Sequence, residues 1–179
     1  RARVAGACVV DSMRGRGIQL RTGTLAAKGD VLLFLHADAV LPDVSKQDIH
    51  KLLAEADAGF FRLAYDRQCW MLRLVAWAAN IRSVQLSLPY GDQALFMRRS
   101  VYDALGGFQR YPFLEDLDLV IKLRRKYSLR WMSSSVTVSS RRLLQPYPFA
   151  PLLLSLRNVM IALLFCLGVS PERLVRLYR

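Results

Sequence analysis

Cysteine is scarce: Cys8, Cys69 and Cys166 are three in 179 residues, odd in number, widely spaced and without a Cys-x-x-Cys pair. A disulfide framework and a zinc ribbon are both excluded, and a reducing compartment, hence a cytoplasmic location, is expected. Carboxylates are also few. Fourteen Asp and Glu face 26 Lys and Arg, giving a net charge of +12 and a sequence pI of about 10.3, so the expected partner is anionic: nucleotide phosphate, nucleic acid or acidic lipid. Long apolar runs are missing. The most apolar stretch, Leu152–Val169, is broken by Arg157 and Asn158, and the remainder is shorter than the ~20 residues of a spanning helix. A helix buried in the protein or lying on a membrane surface through residues 150–169 is expected instead. Repeats and low-complexity tracts are absent, and no cleavable apolar core follows the first basic residues. What is present is a 53% apolar composition, ample for one folded core and incompatible with disorder.

The order of elements reads as α/β. Val4–Val10 has the look of a buried strand that begins at once, as if the chain started inside a domain. A turn around Arg14-Gly15-Arg16-Gly17 leads into a helix from about Ile18 to Lys28, and Val31–Leu35 reads as a parallel strand covered on both faces. Asp43 is placed to cap a helix carrying Ile49, Leu52, Leu53 and Ala56, and Ala58–Tyr65 reads as a strand. A helical stripe of Trp70, Leu74, Trp77 and Ile81 follows, then a turn at Pro89–Asp92, a strand over Gln93–Met97, and a short helix from Ser100 broken by Gly106-Gly107. Glu115–Lys126 is acidic at its start and basic at its end, in agreement with the helix dipole. Strands over Leu129–Met132 and Val136–Ser139, a proline-containing loop and apolar helices complete the pattern. The boundary falls near residue 150: a catalytic-type α/β unit over 1–149, then an apolar helical segment over 150–179.

Four places carry potential chemistry. His36-Ala37-Asp38 follows the most apolar strand, and open α/β sheets bind ligands beyond the carboxyl ends of their strands. Asp38 offers a hard oxygen to Mg²⁺ or Mn²⁺ and His36 projects to the same side, although the same residues could equally close a turn. Glu115-Asp116 begins a helix, where a carboxylate can serve as a general base or merely favour the helix dipole. Gly91-Asp92-Gln93 can grip hydroxyls or be ordinary turn chemistry. Arg16 and its glycine neighbours could seat a diphosphate at a helix start, without the Walker lysine or the full dinucleotide fingerprint, and Arg141-Arg142 is a second basic pair that could meet phosphate or be a solvated loop charge.

Taken in order, Gly15-Arg16-Gly17-Ile18-Gln19, Gly29–Asp38, Pro89–Gln93, Leu105–Phe108 and Leu114-Glu115-Asp116 resemble family 2 glycosyltransferases of the GT-A fold. The subgroup most similar is the one associated with radical SAM and selenoprotein-like domains and with arsenosugar biosynthesis, down to a tail similar to Leu167–Leu174. The resemblance implies a GT-A nucleotide-diphospho-sugar transferase-like mixed sheet flanked by helices, and inverting, metal-assisted sugar transfer to an acceptor hydroxyl. Asp38, joined by His36, would hold the divalent cation, and Asp116 would be the base with Glu115 beside it. Gly91, Asp92 and Gln93 would line the sugar and acceptor pocket, Arg16 and Gln19 would lie near the donor, and Arg141 or Arg142 would steady phosphate. Arg21 and Ala39 depart from the subgroup's usual Asn and Thr. The family's first strand, helix and second strand have no counterpart, so the resemblance implies a fold lacking its first β-α-β portion. The competing readings are a basic module that binds membrane or nucleic acid, and an inactive GT-A-like scaffold. Dispersed basic residues without a recognition helix or RNA-binding aromatics weigh against nucleic acid.

Overall fold

The computed structural model describes residues 2–144 and 149–178; of the proline-containing loop expected after the last strand, residues 145–148 lie outside the described residues. Five strands form one mixed sheet in the order β1-β4-β3-β5-β2, with β1 (Val31–Leu33), β2 (Ala39–Val40), β3 (Ala58–Tyr65), β4 (Phe96–Arg98) and β5 (Leu129–Val138). Only β3 and β5 run parallel; the other neighbours are antiparallel. Helices α1 (Arg16–Ala26), α2 (Lys46–Glu55), α3 (Trp70–Leu86), α4 (Arg99–Ala104), α5 (Glu115–Lys126), α6 (Ala150–Cys166) and α7 (Pro171–Tyr178) flank it.

The sheet is covered on both faces because neighbouring side chains of a strand point to opposite sides. Phe60 and Met97 enter one core with Tyr102 and Phe108 and with Leu119 and Leu123 of α5. Phe61 and Phe96, one residue away, enter the other with Leu53 of α2 and Val136. A smaller cluster of Phe113, Ile161 and Leu174 fastens α6 and α7 to the loop before α5. At Gly59 a side chain would collide with the Phe96 ring, so the crossing of β3 and β4 requires glycine.

Beyond Gly59 the strand β4 leaves the edge of β3, and backbone groups there need other partners. Side-chain amides supply them. Asn80 of α3 accepts from the Leu63 N–H at 2.7 Å and donates to the Leu63 carbonyl at 3.0 Å, as a neighbouring strand would. Gln93 donates to the Phe61 carbonyl at 3.2 Å.

Several sequence expectations are corrected. Residues 4–10 form no strand: turn hydrogen bonds join Ala5 to Ala2 and Gly6 to Arg3, and Val4, Val9 and Val10 are exposed. An apolar run becomes a strand only when another strand pairs with it. The β1 strand is shorter than expected and antiparallel to β4, with no partner on its other edge among the described residues. Ser45, not Asp43, caps α2, in a reciprocal capping box with Asp48. Gln93 ends a short 3-10 turn instead of beginning a strand. The two strands expected across the serine run are one, β5, with a register irregularity opposite Phe61 and Arg62. The helical stripe expected on α3 is present, with Trp70, Leu74 and Trp77 exposed and Ile81 half-buried.

Replacing Asn80 by alanine orphans a backbone donor and acceptor of β3. The expected cost is about 1–3 kcal/mol, read as a lowered urea midpoint with an unchanged denaturant slope.

Candidate active site

A cleft of about 1190 Å³ opens where the ends of several elements converge. The carboxyl end of β1 delivers His36–Asp38, and the Asp38 carbonyl accepts from Ser139 at 3.0 Å, tying this segment to the end of β5. The starts of α1 and α5 supply Arg16 and Asp116, and the turn at Gly91–Gln93 closes between them. Leu114, directly before α5, has φ +65°, a conformation that costs a branched residue free energy, and it aims the two acidic residues that follow.

Arg16 is the hub. Its Nη2 donates to His36 Nε2 at 3.0 Å, its Nε lies 3.0 Å from Glu115 Oε1, and its Nη2 is 3.9 Å from Asp116 Oδ2. A guanidinium can only donate, so His36 Nε2 is the acceptor and the imidazole proton sits on Nδ1. Burial first, and then the positive charge of Arg16, hold His36 below its ordinary pKa, keeping the ring neutral. Asp116 accepts from the backbone N–H of Gly91 at 2.7 Å and of Leu117 at 2.8 Å. A side chain on Gly91 would meet Asp116 Oδ2 and His36 Nε2, each at 2.8 Å. Only glycine lets the three approach.

Glu115 is fully buried behind Arg16; the contact between them is an ion pair without hydrogen-bond alignment. Burial, with the negative charge of Asp116 and against Arg16, raises its pKa. Burial likewise raises that of Asp92, against the opposing charge of Arg82, and Asp92 Oδ1 has no hydrogen-bond partner among the described residues. Arg82 lies over the Tyr90 ring, 3.3 Å from its centre, bracing the turn.

The fold thus brings Arg16, Gln19, His36, Asp38, Gly91, Asp92, Asp116 and Arg141 to the wall of one cleft. Two expected site residues stand behind it. Gln93 is buried on Phe61 and Ser83, a structural role that replaces the expected place in the sugar and acceptor pocket, and Glu115 reaches the cleft only through Arg16. Arg142 ends a 3-10 turn after β5, and its side chain lies outside the described residues. Asn158, Ile161 and Ala162 of α6 and Tyr178 of α7 were not anticipated as lining. The signal for Asn158 was available, since it is a polar residue inside the most apolar helix.

Asp38 fits a hard divalent cation: its carboxylate lines the cleft and enters no ion pair or hydrogen bond among the described residues. His36 fits less well as a second ligand, because its Nε2 is engaged by Arg16. Among the described residues no three His, Cys, Asp or Glu side chains cluster as a metal cage. A cation at Asp38 would therefore draw its other oxygens from substrate and water, as Mg²⁺ commonly does.

No family model and no curated protein matches the chain. A solved structure described as "Crystal Structure of a Mycobacterial Protein" is similar over 94% of this chain, with 18% identity and a TM-score of 0.50. The likeness is one of fold. The chain spans 60% of that protein's length.

Two outcomes test the site's electrostatics. Gly91→Ala should cost about 1–3 kcal/mol in urea denaturation by forcing apart Asp116, His36 and Arg16. The Glu115 pKa is raised on folding from an ordinary 4.5, so its contribution is fully present below that value and is lost as pH rises through the folded one. The melting temperature of the wild type relative to Glu115→Gln should accordingly increase as pH is lowered from about 8 to about 5.

Proposed function

We propose that this chain carries the catalytic groups of an inverting glycosyltransferase that moves a sugar from a nucleoside-diphosphate donor to an acceptor hydroxyl, on a sheet of GT-A type. One observation carries the reading: Asp38 and Asp116, far apart in sequence, line the same cleft with Arg16, His36 and Arg141 around them. Open space between a cation-binding carboxylate and a proton-accepting carboxylate is what displacement at an anomeric carbon requires.

In this reading the acceptor hydroxyl gives its proton to Asp116 as its oxygen forms a bond to the anomeric carbon. The bond between that carbon and the diphosphate breaks on the opposite side, and the nucleoside diphosphate departs with the electron pair. The backbone N–H groups of Gly91 and Leu117 hold the Asp116 carboxylate in one orientation while leaving lone pairs for the incoming proton. A divalent cation, Mg²⁺ or Mn²⁺, held by Asp38 would neutralise the leaving diphosphate. Arg141, exposed at the rim after β5, and Arg16 add positive charge on the donor side. Neutral His36 presents no competing charge and holds Arg16 in place. Asp92, which lines the cleft and whose Oδ1 has no partner among the described residues, supplies an acceptor for a sugar hydroxyl.

Asp116→Asn removes the base at nearly constant shape; because Gly91 and Leu117 donate to different carboxylate oxygens, the single amide oxygen keeps one of the two backbone hydrogen bonds. The substitution should lower transfer from a UDP-sugar by at least about 10²-fold while leaving the donor- and Mn²⁺-dependent rise in melting temperature intact. Asp38→Ala should abolish that rise. Equal loss of both properties in both variants would overturn the assignment of roles, and absence of any donor-dependent stabilisation in the wild type would overturn the reading.

A further inference from the structure

Two helices carry an apolar face that no described residue covers. In α6 and at the residues flanking it, Phe149, Leu153, Leu156, Met160, Leu163 and Leu167 recur at alternating steps of four and three, and all six are exposed. At about 100° per residue they fall within an arc of roughly 80°. The residues of α6 that are buried or that line the cleft, Ala150, Pro151, Asn158, Ile161 and Ala162, lie outside that arc, on the other side of the helix. On α3, which packs against α6, Trp70, Leu74 and Trp77 repeat the pattern: they are exposed, while Leu72, Val75 and Ser83 face inward. A water-exposed helix normally turns its apolar stripe to the core and its polar residues out. Here apolar residues occupy both sides.

Charge selects the occupant. Neither helix contains an aspartate or glutamate, and their only ionised groups are Arg73, Arg82 and Arg157. Arg73 is exposed between the two tryptophans, and Arg67 is exposed just before the helix. A second copy of a chain of charge +12 would set arginine against arginine with no carboxylate on either helix to pair with it. Arg82 and Arg157 are turned onto Tyr90 and Tyr178, so an anionic lipid surface offers phosphate to Arg67 and Arg73, hydrocarbon to the leucines and a headgroup layer to the tryptophans. Among the described residues no helix is long and apolar enough to cross a membrane, so contact of this kind lies in the plane of the interface. We propose that the outer faces of α3 and α6 form a peripheral docking surface for an anionic bilayer. Because the opposite side of α6 forms a wall of the cleft, docking holds the cleft beside the lipid surface. The inference is independent of the reaction the cleft performs.

Sedimentation with vesicles of phosphatidylcholine alone, and of an equal mixture with phosphatidylglycerol, tests it. The wild type should sediment with the anionic vesicles, with a blue shift of tryptophan emission, and should release in high salt. The Leu156→Glu/Leu163→Glu variant should lose at least about tenfold in partitioning, whereas Val40→Glu, an exposed apolar position on β2, should bind as the wild type does. If the double variant fails to melt cooperatively, Trp70→Ser/Trp77→Ser provides the same comparison at two exposed sites. Four results would each overturn the proposal: no sedimentation with anionic vesicles, equal binding to neutral ones, undiminished binding of the stripe variants, or a concentration-dependent dimer that the stripe variants dissolve without any vesicle binding by the wild type.

Discussion

The guanidinium of Arg16 sits among two sequence-adjacent carboxylates and an imidazole, and the geometry around the cleft depends on it. Glu115 is buried, and Asp116 stands beside it at the start of the same helix; without a cation beside them the two carboxylates would repel with nothing to offset it. Arg16 meets this need because it is planar and presents several donors at once, so one side chain reaches Glu115 through Nε and His36 through Nη2. A lysine ammonium could not bridge them in the same fixed geometry. The approach of backbones that makes this possible rests on two glycines. Gly17 packs α1 against the Gln109 carbonyl and the side chain of Glu115, and Gly91 lets the turn reach Asp116.

The sheet explains why these pieces meet at one end. The strands β1 and β5 finish on the same side, where Ser139 hydrogen-bonds to the Asp38 carbonyl, and the segments that follow them enter the cleft. On the open part of the β3 edge, Asn80 and Gln93 replace the hydrogen bonds of a missing neighbour. Gln93 therefore anchors the turn carrying Gly91 and Asp92 to the core of the sheet. That anchorage places a rigid backbone donor, the Gly91 N–H, against Asp116, so the carboxylate is oriented before any ligand arrives.

The helix α6 joins the cleft to the outer surface. One side closes the pocket with Asn158, Ile161 and Ala162, and the small cluster with Phe113 and Leu174 fixes it there. The other side is a leucine stripe in contact with solvent. A helix apolar on two sides belongs in a core or against a second apolar phase, and among the described residues one side alone meets a core.

Local chemistry made much of this legible. The bounds of β3 and α5, the glycine break after α4 and the acidic start of α5 follow from short-range propensity, dipole and turn preferences, and the mixed α/β class follows from their order. The candidate residues at the ends of predicted elements reached the cleft in most cases because strand ends and helix starts are positions the backbone pattern alone identifies. What local pattern could not reveal was pairing. Whether residues 4–10 become a strand, which direction β1 runs, that the serine run in β5 is a register irregularity within one strand and not a break, and that Gln93 turns inward to satisfy β3 are all decided by which backbone groups lie opposite one another. The same limit holds for the stripe on α3: periodicity told that Trp70, Leu74 and Trp77 share a face, but hydrophobic spacing is identical whether that face meets a core or solvent. The sequence by itself determined the elements, the charge and the chemical groups at their ends; the tertiary structure alone decided their neighbours, because hydrogen bonding and burial are satisfied between segments distant along the chain.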